Sequence, residues 1–311
     1  MAIGGCTVDV VHAADGTTRG RQLGGSAIYA AAGARIWGLN SGVVAFRGMG
    51  LPEGWDGLLT ALGIDMDGLV PVDLPAAVSE FFYDAGGARM ERTWSADGGG
   101  PVASHLPADT GEPIRRLRVA PDHIPERYRG ARGAHLAPLH FPVQRALLGA
   151  LGRIGVITLD PYPHVMADCT DEDLKTLLAP LWAFMPSVEE VRAKFPDIPM
   201  EKALDRLLAL SPVTTIIKQG KEGSLVYDRQ TGRRWAVPAV PVTVKDPTGA
   251  GDAFCGGVQA GLIEGRDIVH AAVCGTVSAS FAVEDFCLDG MRAADPTERD
   301  RRYRWVLERI Q

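Results

Sequence analysis

The 311-residue chain has few cysteines and no pattern that pairs them. The five cysteines are odd in number and scattered, and neither a C-x-x-C motif nor a zinc-ligand spacing occurs. This argues against a disulfide framework or a structural zinc site and predicts reduced thiols in a cytoplasmic protein. No apolar run approaches 18 residues, and the first residues lack a basic segment followed by an apolar one. We therefore expect neither a membrane partner nor a signal peptide.

Positive charge is also sparse along the chain. The formal net charge is −6, and Lys and Arg form no block. Nucleic acid is therefore not expected as a partner, because phosphate-backbone contacts need clustered cations. The sequence has no G-x-x-x-x-G-K-S/T, and no G-x-G-x-x-G follows its first predicted strand. It thus supports neither a P-loop nor a dinucleotide fingerprint, although a local turn of backbone amides can still hold a nucleotide.

Short β-branched runs alternate with helix-like segments over most of the chain. The strand-like runs include 2–5, 43–46, 134–137, 156–160, 213–218, 224–227 and 234–237. The helix-like segments include 24–38, 55–62, 143–151, 200–210, 250–264 and 267–283. This alternation predicts the α/β class, with a mostly parallel sheet covered by helices on both faces. We expect residues 1–311 to form one domain.

Two strand-like runs, 78–83 and 89–94, flank a Gly-rich turn and interrupt this alternation. Such a pattern is typical of a β-hairpin. With the runs near 8–11 and 21–23, it predicts a small β-sheet from about 8–23 and 77–95 that stands off the main sheet. The segment 97–125, which is rich in Gly, Pro and Ala, predicts a loop with short elements.

The most specific chemistry lies in Asp246-Pro247-Thr248-Gly249-Ala250-Gly251-Asp252, between a strand-like run over 240–245 and a small-residue helix. The glycines allow a tight turn, and a helix N-terminus offers unpaired N–H groups whose dipole favours anions. We predict that residues 249–251 form an anion hole. A carboxylate at its mouth, Asp252, suits a general base that takes a proton from a hydroxyl.

This stretch and the pair Gly24-Gly25, which precedes an Ala-rich helix, resemble the two motifs of the ribokinase-like (PfkB) carbohydrate and nucleoside kinases. The resemblance covers essentially the whole chain. It implies a ribokinase-like three-layer sandwich with a mostly parallel central sheet and a small β-lid. It also implies an ATP- and Mg²⁺-dependent phosphotransferase in which Asp252 is the base and the amides of Gly249, Ala250 and Gly251 hold the transferred phosphoryl group.

On the acceptor side, the resemblance implies that Asp9, Gly24 and Gly25 contact substrate hydroxyls. Tyr29 stands where ribokinases have an asparagine that contacts the sugar, so an aromatic ring there predicts a pocket for a larger or flatter substrate. His140 falls close to the position of an acidic sugar contact in ribokinases, which makes it a further candidate for substrate binding.

On the donor side, the resemblance implies a cofactor site for ATP and its metal. The candidate ATP-binding residues are Lys218, Gly220, Gly223, Thr276 and Ser187, the last of which replaces an asparagine of the family's N-x-x-E motif. Glu190, the acidic end of that motif, is implied to organise Mg²⁺ through water. Asp246 and Thr248 resemble positions that help to hold a monovalent cation, such as K⁺, in some members.

These residues favour phosphorylation of a hydroxymethyl group on a sugar or sugar-like molecule. A nucleoside kinase is the first alternative, since Tyr29 could stack on a base. A catalytically weak regulatory or binding protein is the second, because Ser187 and Cys287 depart from the family pattern; a glycine is usual at position 287. Members of the family often pair through their lids, so a homodimer through the lid is a further prediction.

Overall fold

The computed structural model describes residues 1–84, 89–95 and 119–311. The predicted loop over 97–125 therefore lies outside the described residues up to position 118. Thirteen strands occur in the described part: β1 (Ala2–Ile3), β2 (Thr7–His12), β3 (Thr18–Gly24), β4 (Ser41–Met49), β5 (Ile64–Pro75), β6 (Ala77–Tyr83), β7 (Arg89–Ser95), β8 (Gly133–Leu136), β9 (Val156–Leu159), β10 (Ala183–Phe184), β11 (Thr214–Lys218), β12 (Ser224–Tyr227) and β13 (Arg234–Val237).

Nine of these strands form the main sheet, in the order β13-β12-β11-β10-β9-β8-β1-β4-β5. All neighbours from β11 to β5 pair in parallel, and only β12 and β13 at one edge are antiparallel. The central strands are short and buried, as expected for a parallel sheet with both faces covered. Their carboxyl ends therefore meet at one edge of the sheet.

Eleven α-helices occur in the described residues: α1 (Ser26–Arg35), α2 (Trp55–Leu62), α3 (Phe141–Ala150), α4 (Pro163–Asp168), α5 (Asp171–Leu178), α6 (Val188–Lys194), α7 (Met200–Leu210), α8 (Ala250–Ile263), α9 (Ile268–Ala282), α10 (Asp289–Arg292) and α11 (Pro296–Leu307). They divide between two buried apolar clusters. One cluster includes residues of α1, α8 and α9, and the other includes residues of α3, α5, α6 and α7. The sheet is thus covered on both faces.

Helices α1 and α8 approach each other closely through glycine. A Cβ on Gly33 or Gly256 would overlap backbone atoms of the partner helix, at Ala253 and Ala30 respectively. The small-residue sequences of both helices make this approach feasible. It places residues 30–33 of α1 beside the first two turns of α8.

A second, four-stranded sheet has the order β3-β2-β6-β7. Strands β2 and β6 are parallel, while β3 and β7 pair antiparallel on the outside. Its strands occupy the two ranges in which the sequence predicted a small separate sheet. We refer to this four-stranded sheet as the lid sheet.

The α/β class and the mostly parallel sheet are confirmed, and helices α2 and α7 begin and end where predicted. The strand predicted over 240–245 is wrong: this run is irregular, and Val244 is exposed. Pro238 and Pro241 remove backbone donors that a sheet strand would need. Strand β5 was not predicted. In the described part of the chain, no helix combines the length and apolarity needed to cross a bilayer.

Candidate active site

Chemically active side chains follow several neighbouring strands at the carboxyl edge of the main sheet. Asp160 follows β9, Ser187 follows β10, and Lys218 ends β11. The turn before α8 reaches the same edge, since the side chain of Lys218 lies 3.5 Å from the Cβ position of Gly251. In open α/β sheets, ligands bind at this edge. The site is therefore built from residues that are far apart in sequence.

The turn before α8 is held by Asp246, which is fully buried. Its Oδ1 accepts a hydrogen bond from the backbone N–H of Thr248 at 2.9 Å, and its Oδ2 accepts one from that of Cys287, also at 2.9 Å. Gly249 then adopts φ 73° and caps the helix. Ala250 donates its N–H to the carbonyl of Pro247 at 3.2 Å.

Of the three amides predicted to form the anion hole, that of Ala250 is thus used within the turn. The N–H groups of Gly249 and Gly251 have no acceptor among the residues that the structure describes. These two amides point to a binding capacity for an anion at the helix N-terminus. The predicted anion hole would therefore have two unbonded amides, those of Gly249 and Gly251, in place of three.

Asp252 occupies the first turn of α8 and is half-buried. Burial raises the pKa of its carboxyl to about 8, and the negative charge of Asp160 acts in the same direction. The positive charges of Lys218 and Arg89 oppose this rise in pKa. A carboxyl with a pKa near neutrality is suited to exchange a proton with an alcohol.

Lys218 and Asp160 form a buried ion pair beneath this turn. Burial alone would lower the pKa of Lys218, but the negative charges of Asp160 and Glu190 outweigh burial and raise it. The ammonium group is therefore a fixed cation beside Gly251. The sequence indicated Asp160 only as a strand end, and its pairing with Lys218 was not predicted. The other carboxylate oxygen of Asp160, Oδ1, is buried without a hydrogen-bond partner among the described residues.

Ser187 and Glu190 form a capping box at the start of α6. The backbone N–H of Ser187 donates to Glu190 Oε2, and the N–H of Glu190 donates to Ser187 Oγ at 3.3 Å. The serine thus has a structural role that the S-x-x-E spacing itself indicates. Glu190 still lies close enough to act electrostatically on Asp160 and Lys218.

Two carboxylates at this edge of the sheet fit a Mg²⁺ ion of the kind that accompanies a nucleotide phosphate. Mg²⁺ in proteins keeps several waters and uses one or two carboxylates with substrate phosphates. Asp160 Oδ1 lacks a partner in the described residues, and Glu190 is a second carboxylate that acts electrostatically on Asp160. In the described part of the chain, no group of three or more acidic, His or Cys side chains forms a cage for a metal.

The proposed monovalent-cation residues are engaged by protein groups. Both carboxylate oxygens of Asp246 accept backbone hydrogen bonds, and Thr248 Oγ1 lies 2.9 Å from the hydroxyl of Tyr83 in the lid sheet. Cys287, at φ 52°, is the one non-glycine residue with positive φ in the described residues, which explains why a glycine suits this position. A K⁺ site stays a prediction.

On the acceptor side, Asp9 is almost completely buried, with 1% exposure. Its Oδ1 accepts from Thr7 Oγ1 at 2.8 Å, and its Oδ2 accepts from the Tyr29 hydroxyl at 2.9 Å. A Cβ on Gly24 would overlap this carboxylate, so the glycine makes room for Asp9. Burial raises the pKa of Asp9 to about 7, despite these hydrogen bonds.

Tyr29 is also buried, with 2% exposure, and its ring fills the space against Gly249. It therefore links the helix after the Gly24-Gly25 pair to the turn before α8. The prediction that Tyr29 stacks on a substrate base disagrees with this placement, since the ring is enclosed by protein and its hydroxyl is bonded to Asp9.

Three rings lie together beyond β8 and β9. The ring centroid of His164 is 5.3 Å from that of His140 and 5.0 Å from that of Tyr162, with the Tyr162 and His164 rings nearly parallel. We call His140, Tyr162 and His164 the aromatic cluster. Only His140 was singled out from the sequence; the other two follow Asp160-Pro161, and their aromatic character was the available indication.

The remaining donor-side candidates lie near the end of β11 and in α9. Gly220 and Gly223 adopt φ 58° and 95° in a tight turn after Lys218, as their sequence positions suggest. Thr276 is 5% exposed within α9, and its hydroxyl has no partner among the described residues. The structure thus brings Lys218 to the turn before α8, whereas Thr276 lies inside the helix layer.

Comparison with known proteins finds a segment that matches a family pattern, and solved structures with a similar fold. Residues 155–288 match the pattern of the pfkB family carbohydrate kinases. A cytidine kinase of Thermococcus kodakarensis is 26% identical over 269 residues, which are 86% of this chain and 90% of that protein. A nucleoside kinase of Burkholderia thailandensis, solved with inosine, has a TM-score of 0.71 at 17% identity and covers 99% of this chain and 96% of its own.

An E. coli protein solved with ATP and Mg²⁺ has a TM-score of 0.70 at 20% identity, with 98% of each chain covered. These solved structures show that the fold is ribokinase-like, with its mostly parallel sheet and flanking helices. The resemblance to the ribokinase-like (PfkB) family that the sequence motifs indicated is confirmed.

Proposed function

From the ribokinase-like fold and the pfkB family segment of this chain, we propose that it transfers a phosphoryl group from ATP to a hydroxymethyl group of a small molecule. The observation that carries the proposal is the position of Asp252. Asp252 stands in the first turn of α8, directly after Gly251, and Lys218 Nζ lies 3.5 Å from the Cβ position of Gly251. Lys218 also acts electrostatically on the Asp252 carboxyl.

The transfer needs four events at this place. The acceptor hydroxyl gives its proton to Asp252, and its oxygen forms a bond to the γ-phosphorus of ATP. The bond between that phosphorus and the bridging oxygen breaks, and ADP leaves with the electron pair of that bond. Such transfers depend mainly on positioning and on stabilising negative charge. Asp252 supplies the proton acceptor, and the two amides face the transferred group.

Fixed positive charge supports the same chemistry. Lys218 is held by Asp160, so its cation needs no reorganisation when phosphate arrives. Arg89, from the lid sheet, lies over the ring of Phe81 at 5.7 Å and acts electrostatically on Asp252. Mg²⁺ held by ATP, Asp160 and Glu190 would supply further charge neutralisation. Both protein cations lower the pKa of Asp252, which favours the ionised base.

The lid sheet contributes to the proposal through Tyr83, whose hydroxyl lies 2.9 Å from Thr248 Oγ1. This contact ties the sheet to the turn that carries the anion hole. A sheet in this position would exclude water from the reacting groups, and thereby limit hydrolysis of ATP. Association of two chains through the lid sheet stays a prediction.

The proposal includes two classes of acceptor, sugars and nucleosides. The pfkB match concerns carbohydrate kinases, whereas the relatives compared above are named cytidine kinase and nucleoside kinase. Both classes of acceptor carry a hydroxymethyl group that can reach Asp252.

The test is a panel of acceptors incubated with ATP and Mg²⁺, with ADP release measured against a reaction without acceptor. Phosphorus NMR of the product then shows which hydroxyl carries the phosphate. We expect one acceptor class to raise ADP release at least tenfold and to give a phosphomonoester at a primary hydroxyl. ADP release that no acceptor raises, together with retained ATP binding, would favour a regulatory protein on the kinase scaffold.

A further inference from the structure

We propose that Cys255 is a positioning residue: its thiol helps to hold one carboxylate oxygen of Asp160 and thereby leaves the other oxygen for the divalent cation that accompanies ATP. This inference rests on the proposed function, because that cation belongs to the same transfer. Cys255 exchanges no proton and forms no covalent bond in the transfer. It acts through Asp160.

The first observation is a closed set of hydrogen bonds at the carboxyl edge of the main sheet. The Cys255 thiol donates to Asp160 Oδ2, with 3.6 Å between Sγ and Oδ2, and the sulfur accepts from Lys218 Nζ at 3.9 Å. Lys218 Nζ also donates to the same oxygen, Asp160 Oδ2. Because Lys218 ends β11 and Cys255 belongs to α8, donors from two different elements hold a single carboxylate oxygen.

The second observation is the state of the other oxygen. Asp160 is 3% exposed, and its Oδ1 is buried without a hydrogen-bond partner among the described residues. Buried polar atoms are normally bonded, because the loss of hydration is otherwise uncompensated. Both side-chain donors to this carboxylate are on Oδ2, so Oδ1 is an acceptor kept for a ligand.

The charge around Asp160 indicates which kind of ligand Oδ1 accepts. The main electrostatic influences on its carboxyl are one positive group, Lys218, and one further negative group, Glu190. Arg89 of the lid sheet has a carboxylate partner of its own, Glu91, at 3.7 Å. A divalent cation supplies the missing positive charge, and Mg²⁺ prefers carboxylate and phosphate oxygens. A neutral hydroxyl at Oδ1 would leave the excess of negative charge in place.

The thiol is suited to this task because it remains a donor. Burial and the negative charge of Asp160 raise the pKa of Cys255, which therefore keeps its proton. Groups that bond to a metal-binding carboxylate fix its orientation, and their loss weakens metal binding. Cys255 is completely buried, so water cannot replace it as a donor to Asp160 Oδ2.

The experiment measures the affinity for ADP by calorimetry, once with Mn²⁺ and once with EDTA. The ratio of the two affinities is the gain that the cation provides. Cys255→Val and Cys255→Ala remove the donor, the second without adding atoms to the core, and Cys255→Ser keeps a donor. Cys274→Val is the matched control, since it makes the same change at a buried position of α9. Circular dichroism checks that each variant is folded.

We expect Mn²⁺ to raise the affinity of the wild type for ADP at least tenfold. Cys255→Val and Cys255→Ala should reduce this gain about three- to tenfold, which is less than the usual effect of groups that orient metal ligands, because a thiol is a weak donor. Cys255→Ser and Cys274→Val should keep the gain within about twofold, and the affinity for metal-free ADP should change little in every variant. In turnover, the Mg²⁺ concentration that gives half the maximal rate should rise only in the variants without a donor.

A wild type that binds ADP equally well with Mn²⁺ and with EDTA would overturn the inference, as would a gain that survives in both Cys255→Val and Cys255→Ala. Equal losses in Cys255→Ser or Cys274→Val would also overturn it, because they would show an effect of packing and not of the hydrogen bond. Phosphorylation of an acceptor in any of these cases leaves the kinase proposal intact. If the gain changes as expected but no acceptor raises ADP release, the proposed function fails and the role of Cys255 stands.

Discussion

The ionisation of Asp252 predicts a steep pH dependence of phosphotransfer. Its pKa is about 8 because burial and the charge of Asp160 favour the protonated form. Only the ionised carboxylate can take the proton of the acceptor. The ionised fraction is therefore roughly 1% at pH 6, about 10% at pH 7 and half at pH 8, since each pH unit below the pKa is tenfold. The rate should rise about tenfold from pH 6 to pH 7.

The assay is the initial rate of ADP release with ATP and acceptor both well below saturation, so that the profile reports the free enzyme. Arg89→Met removes a positive charge that lowers the pKa of Asp252. It should move the rising limb to higher pH and cost several-fold in rate at pH 7, but much less at pH 9. Arg89→Lys keeps the charge and is the matched control. The rising part of its pH–rate profile should lie near that of the wild type.

The ionisation of ATP affects the wild type and both variants equally. A shift in pH between their rate profiles therefore reports the ionisation of Asp252. A wild-type rate that does not change between pH 6 and pH 8 would refute the assignment of the base. A limb that stays in place in Arg89→Met would refute the electrostatic part of the reasoning.

Three further predictions concern stability, and all are measured by urea unfolding. Gly256→Ala should lower the free energy of unfolding by about 3 kcal/mol or more, because the new Cβ overlaps the backbone of Ala30. Gly149 in α3 is exposed and has open space around it, so the control variant Gly149→Ala should raise the free energy of unfolding by up to about 1 kcal/mol. Equal effects of the two substitutions would show that helices α1 and α8 separate freely. Tyr29→Phe should lower the free energy of unfolding by about 1–3 kcal/mol at pH 8, since ionised Asp9 loses a buried hydrogen-bond donor. The loss should be smaller at pH 5, where Asp9, with a pKa of about 7, is protonated. A loss that does not depend on pH would contradict the role of this hydrogen bond.

The stability of the folded chain should also fall as pH rises through the raised pKa values of Asp9 and Asp252. Both carboxyls hold their protons in the folded state over a pH range in which the unfolded chain has released them. Their contribution is fully present below about pH 4, the pKa of an unfolded aspartate, and is lost by about pH 8. The raised pKa that lets Asp252 exchange a proton near neutral pH thus also makes the folded chain less stable at high pH.

The contiguous part of the candidate site could be predicted from sequence, and the dispersed part could not. The turn before α8 and Asp252 are set by neighbouring residues, so glycine conformation and helix-terminus chemistry suffice. The pair between Lys218 and Asp160 joins residues 58 positions apart. Their proximity follows from the order of β9, β10 and β11 in the sheet, which periodicity alone does not reveal.

Local patterns also had more than one meaning. The spacing of Ser187 and Glu190 fits both a cofactor motif and a capping box, and the structure shows the capping box. Tyr29 was a candidate stacking residue because it is aromatic and stands where ribokinases have a sugar-contacting asparagine, but Asp9, 20 positions away, supplies the buried acceptor that fixes it. The hairpin of β6 and β7 was predictable, because two strand-like runs around a Gly-rich turn are a local pattern, whereas the parallel pairing of β2 with β6 joins residues far apart in sequence.

The central claim is that Asp252 is the base that accepts the proton of the acceptor hydroxyl. The most direct measurement is phosphotransfer by Asp252→Asn on the best acceptor, together with calorimetric binding of ATP and of that acceptor. The amide matches the carboxyl in size but cannot take the proton. The account predicts a loss of 10²- to 10⁴-fold in kcat, the usual contribution of a general base, with binding of both ligands kept within a few-fold. A variant that binds both ligands and phosphorylates the acceptor at near wild-type rate would contradict it.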